Sequence, residues 1–170
     1  NILVLTRVHY NDAATIHDHC LSLREYSRHH YFYWDTYDDR DKLLNIDLDY
    51  FDAILIHYSV YLLLDSYLST PVRRAIASSR GKKIIFRQDE YAKVDEFVHV
   101  MRELKTDVLF TCVPHPEVEK VYPPDKLPET KIFTTLTGFV PEYLQKRKPD
   151  FSEPRPIAIG YRGRKLPFWY

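Results

Sequence analysis

Short, continuously apolar runs punctuate the chain, and the segments between them carry apolar residues at helical spacing. Seven runs read as strands: residues 2–5, 31–34, 53–57, 83–86, 108–111, 131–134 and 157–161. After the first, Asn11 is placed to cap a helix in which Ile16, Cys20 and Leu23 recur at i, i+4 and i+7. A second helix has Ser69 or Thr70 as its cap, Pro71 at its first position and Gly81 just past its end. The preceding run, 60–68, also reads as helical. A third helix carries Val94, Phe97, Met101 and Leu104, and a short one follows Pro116. The strands in "AILIH" and "KIIFR" do not alternate, as expected when helices cover both faces of a parallel sheet. The pattern therefore predicts an α/β fold with a doubly wound, mainly parallel, Rossmann-like sheet over residues 1–145. The segment "QKRKPDFSEPRP" holds three prolines among charged residues and marks 146–156 as a linker. Residues 157–170, beginning with the seventh strand, then read as the truncated start of a second domain.

Composition narrows the function classes. At 170 residues, 45% apolar and 28% charged, the chain can bury one sizeable core. Lys plus Arg and Asp plus Glu number 24 each, so the overall basic field of a non-specific nucleic-acid binder is absent. Cys20 and Cys112 stand far apart without a CxxC spacing, which points to a reducing, cytoplasmic setting. No apolar stretch approaches the roughly 20 residues of a membrane span. A peripheral membrane contact stays open. Fourteen tyrosines are unusual beside four glycines; Tyr faces stack on sugars and bases and also fill half-buried core positions.

In an open parallel sheet, ligands meet the residues that follow the strands. Here those residues are polar: "TRVHYND", "HYS", "RQDEY", "TCVPH" and "TLTG". Arg7, His9, Tyr10, His57, Tyr58, Arg87, Asp89, Glu90, Tyr91, His115 and Gly138 are thereby expected around one cleft. Asp89 or Glu90 fits a general base for a hydroxyl nucleophile, with Arg87 keeping the carboxylate ionised. The same residues also fit an ion pair capping the next helix. The first loop has no glycine, so neither the GxGxxG dinucleotide cradle nor a phosphate loop is present. No metal site is expected: His17 and His19 of "HDHC" point about 200° apart on a helix. "DLD" at 47–49 precedes a strand and reads as a solvated turn.

Several segments together resemble the N-terminal half of glycosyltransferases with the GT-B architecture, which face two Rossmann-like domains across a cleft. The carriers are "NILVLT", "FDAILIHYS", "KKIIFRQDEY", "DVLFTCVPHPEVEKVYP", "KIFTTLTGFVPEYL" and "PIAIGYRGR". The last looks like the first strand of the second domain, so the chain is expected to lack its own C-terminal domain. "RQDEY" stands where such enzymes often have a His-Asp pair, and the paired glycines of the first loop are missing. The resemblance implies a nucleotide-sugar donor as substrate, a glycan or small-molecule acceptor on this domain and no resident cofactor. It also implies that Gly163 and Arg164 approach the donor diphosphate. The alternatives are a nucleotide-sugar epimerase of similar architecture, with Asp89 or Glu90 handling a sugar proton, and a non-catalytic α/β module binding a carbohydrate or a protein.

Overall fold

A computed structural model of the chain describes residues 1–8, 14–136, 138–148, 152 and 157. Six strands, β1 (Ile2–Thr6), β2 (Tyr31–Asp35), β3 (Ala53–Ile56), β4 (Lys82–Phe86), β5 (Val108–Thr111) and β6 (Lys131–Thr134), form one sheet in the order β2-β1-β3-β4-β5-β6. Every neighbouring pair is parallel. The expected α/β, Rossmann-like fold is thus present, and the first six predicted strands lie within a residue of the observed ones. The seventh run lies outside the described residues beyond Ile157. All six strands belong to a compact unit, Asn1–Phe139; Val140–Tyr170 is a second unit, which contains the helical turn Glu142–Gln145.

Burial follows position in the sheet. All four residues of β3, at the interior, are buried, which is why that strand is apolar without alternation. The edge strands β2 and β6 are largely exposed. Helices α1 (Ala14–Glu25), α2 (Thr36–Asp39), α3 (Thr70–Ser78), α4 (Val94–Glu103) and α5 (Val118–Val121) connect the strands. Val72 and Ile76 of α3 and Phe97 and Met101 of α4 are at most 2% exposed and pack into one core with Leu3, Leu5, Ile54 and Ile56. Each such side chain contributes about 1.5–3 kcal/mol of transfer free energy. Backbone bonds extend the ladders past the carboxyl ends of the strands, among them His57 N–H to Leu5 O (3.0 Å), Arg87 N–H to Phe110 O (2.8 Å) and Thr135 N–H to Thr111 O (2.8 Å). They fix the first residues of the loops where ligands meet such sheets.

The structure differs from the sequence reading at two places in this layer. Residues 60–68 form successive turns instead of a helix. The Arg73 guanidinium, reaching from α3, takes the carbonyls of Leu62 (3.4 Å) and Leu68 (2.7 Å) and also holds Asp65 (2.8 Å), which ties these turns to α3. Gly81 does not end a helix, because α3 stops at Ser78 and Ser79 is its cap. A Cβ at position 81 would lie 2.4 Å from the carbonyl oxygen of Phe51, so close backbone approach is what requires glycine. The "DLD" segment is a turn: Asp47 accepts from the Asp49 N–H (3.0 Å), and Asp49 accepts from the Arg80 N–H (2.7 Å). Among the described residues no helix is long and apolar enough to cross a membrane, and both cysteines are free thiols.

Candidate functional site

Strand order reverses between β1 and β3, since β2 lies on the far side of β1; the chain leaves these two strands in opposite directions and opens a crevice at their carboxyl ends. Arg7 leaves β1 there, with its backbone N–H donating to Ser59 Oγ (3.0 Å) in the loop after β3. Its guanidinium lies between the rings of Tyr37 (4.5 Å) and Tyr67 (4.1 Å) and donates to the carbonyls of Thr36 (3.4 Å) and Ser66 (3.2 Å). Arg7 therefore clamps three loops together.

Beneath this clamp lies a histidine pair. The Ser59 backbone N–H can only donate, and it donates to His57 Nδ1 (3.1 Å). That nitrogen is thus unprotonated, and the His57 proton sits on Nε2, from which it is donated to His19 Nδ1 (2.9 Å). The same logic puts the proton of neutral His19 on Nε2. His57 has no exposed surface, so it supports the crevice from below and does not line it. Burial, and secondarily the charge of His19, pushes His57 down to about 3; burial also lowers His19. Both rings are neutral at physiological pH. Tyr58 covers His57 (ring centroids 3.9 Å) and stacks on His19 (5.5 Å), and burial pushes its phenol up to about 12.

The second constellation follows β4 and β5. Glu90 Oε1 accepts from Thr111 Oγ1, from the Cys112 backbone N–H (3.4 Å) and from the Tyr122 hydroxyl (3.4 Å). Among the described residues all three donors converge on one oxygen, so the carboxylate is oriented while Oε2 keeps its lone pairs. Tyr122 is 1% exposed, and its phenol is pushed up by burial first and by the Glu90 charge second. Asp89 is exposed and adopts a left-handed φ of 68°. Arg87 does not hold either carboxylate; Nη2 donates to the carbonyl of Asp89 (3.3 Å), and the guanidinium lies over Phe97 (4.5 Å). Neither acid caps the next helix, whose N-cap is Lys93.

The strand ends thus bring Arg7, His57 and Tyr58 into one cluster and Arg87, Asp89 and Glu90 into another. His115 is exposed in the turn before α5, Tyr91 is 74% exposed, and Gly138 adopts a positive φ of 84° with open space around it. His9, Tyr10, Gly163 and Arg164 lie outside the described residues. Sequence reasoning weighed His19 only as a metal ligand and singled out none of Ser59, Thr111 and Tyr122. His19 was legible: with Ile16, Cys20 and Leu23 it completes an i, i+3, i+4, i+7 face, so a buried partner was to be expected. Part of the tyrosine excess is also explained, because Tyr37, Tyr61 and Tyr67 lie against the two strand-end arginines. A cleft of about 500 Å³ between α4 and the 60–68 turns, lined by Leu62, Lys93, Glu96 and His99 among others, contains neither constellation in its wall. Among the described residues no three His, Cys, Asp or Glu side chains converge as a metal site.

Comparison of the chain with protein-family models, with curated proteins and with solved structures finds no match.

Proposed function

We propose that this chain is the acceptor-side part of a glycosyltransferase with two facing Rossmann-like domains, which moves a glycosyl unit from a nucleotide sugar to an acceptor hydroxyl. The observation that carries the reading is Glu90, a carboxylate at the carboxyl end of β4 oriented through one oxygen by Thr111, Cys112 and Tyr122. In transfer, the acceptor O–H bond breaks and its proton passes to Glu90 as the acceptor oxygen bonds to the anomeric carbon. The anomeric C–O bond of the donor breaks, and the nucleoside diphosphate leaves with that electron pair. A base held within hydrogen-bond reach of the hydroxyl contributes roughly 10²- to 10⁴-fold to such a step. Gly163 and Arg164, by the resemblance noted above, face the donor diphosphate, and the free thiols of Cys20 and Cys112 accord with a cytoplasmic setting.

The test is release of nucleoside diphosphate by the full-length protein from a panel of nucleotide sugars with mixed acceptors. Glu90→Gln is expected to lower kcat by roughly 10²- to 10⁴-fold with little change in donor KM. A variant that turns over at the wild-type rate removes Glu90 from the chemistry, and absence of turnover by the wild type on every donor removes the transferase reading.

A further inference from the structure

Arg87 is a buried cation with no anion beside it among the described residues. The side chain is 9% exposed, and its Nε is buried without a hydrogen-bond partner. Of five N–H donors, one bond is made, that of Nη2 to the Asp89 carbonyl (3.3 Å), and among the described residues no carboxylate pairs with the guanidinium. The faces of Phe97 (4.5 Å) and Tyr61 (5.8 Å) offset part of the desolvation. They do not use the planar fork, which matches carboxylate and phosphate oxygens two at a time. Buried charges are ordinarily paired, and the missing partner is therefore a ligand group.

Its neighbours say what the ligand is. Glu90 follows three residues later in the same loop, and Cys112 ties both residues to the end of β5, its Sγ–H donating to the Arg87 carbonyl (3.8 Å) and its N–H to Glu90 Oε1 (3.4 Å). Asp89, between them, adopts a left-handed φ of 68°, and its carbonyl accepts from Arg87 Nη2 (3.3 Å). An acid and an unpaired guanidinium so arranged receive a hydroxyl and an oxyanion from one molecule.

We propose that Arg87 binds the oxyanion of an acidic sugar acceptor, a uronic acid carboxylate or a sugar phosphate, whose hydroxyl lies against Glu90. The hydroxyl contact rests on the transferase reading; the oxyanion contact does not. Calorimetry on the full-length protein with methyl glucuronide, glucose 6-phosphate and methyl glucoside as probes tests it. One or both acidic probes are expected to bind and the neutral one not, and the stronger acidic arm identifies the oxyanion. Arg87→Gln is expected to weaken the acidic probe roughly 10- to 100-fold, and Arg87→Lys to restore part of it because the charge survives without the fork. Neutral sugar bound as tightly as acidic sugar, or an acidic probe indifferent to both variants, overturns the proposal. A thermal melt guards against misfolding, and Arg87→Lys carries the test if Arg87→Gln melts early. Acidic probes that bind through Arg87 without sugar transfer on any donor sink the transferase reading and leave this site standing. Transfer to neutral acceptors that ignores Arg87 does the reverse.

Discussion

Thr111 Oγ1 works in both directions: it donates to Glu90 Oε1 and accepts the Val113 backbone N–H (3.1 Å). Thr111→Val keeps the shape and removes both bonds. It is expected to cost about 1–3 kcal/mol of stability through the N–H left without its acceptor. On the transferase reading it also lowers kcat, while Tyr122→Phe, which removes the longer bond at 3.4 Å, lowers it less. Equal kinetics for wild type and Thr111→Val would show that the orientation of Glu90 does not matter. His57 allows a pH prediction. Its folded value is depressed to about 3 by burial, below the ordinary 6.5, so between those values the unfolded chain binds the extra proton. This contribution to stability is fully present above pH 6.5 and is lost as pH falls toward 3, with a slope approaching ~1.4 kcal/mol per pH unit for one group. His57→Gln is expected to be less stable at neutral pH and to lose less on acidification to pH about 5. Melting curves that shift in parallel for both proteins would contradict this account.

At the scale of elements, the join between the loop before β3 and the start of β4 is set by backbone contact. Gly81→Ala forces a methyl group against the Phe51 carbonyl, whose neighbour Asp52 already holds the Lys82 N–H (2.8 Å). Overpacking of this kind costs about 1–3 kcal/mol. In a domain of this size each kcal/mol lowers Tm by about 2–4 °C. Gly138→Ala is the informative control: it meets no atom within 4 Å but must adopt a φ of 84°. Its expected cost is about 1–2 kcal/mol, from conformation alone. If Gly81→Ala melts with the wild type, the close approach is not a constraint. The turns at 60–68 make a parallel point. Val60, Leu64 and Leu68 carry the apolar spacing of a helix, yet Leu64 is exposed while Leu62 is buried, and an arginine from the next helix holds the carbonyls of Leu62 and Leu68. Tertiary packing decided both burial and conformation there.

For the whole molecule, the hydrophobic core among the described residues draws its members from residues 3–132, and the six strands lie in the unit that ends at Phe139. A chain ending at Phe139 is therefore expected to unfold in one cooperative transition within a few degrees of the full chain, as read by circular dichroism. A broad transition or a much lower Tm would show that the remaining residues complete the core.

What the chain determined by itself is the set of elements and the fold class. Strands such as "AILIH" and helix faces such as Val94, Phe97 and Met101 are legible because period and apolarity act within a few residues, and parallel pairing follows from their alternation. The strand ends were also legible as the place to look, since that rule depends only on chain direction. Only the tertiary structure decided which side chains meet there. His19 and His57 are 38 residues apart, Glu90 and Tyr122 are 32 apart, and Arg87 lost the carboxylates beside it in sequence to the ring of Phe97. The physical reason is reach. Periodicity fixes which face of an element is buried, whereas the partner of a polar group depends on how crossovers set one element against another, to within the few tenths of an ångström over which a hydrogen bond forms or fails.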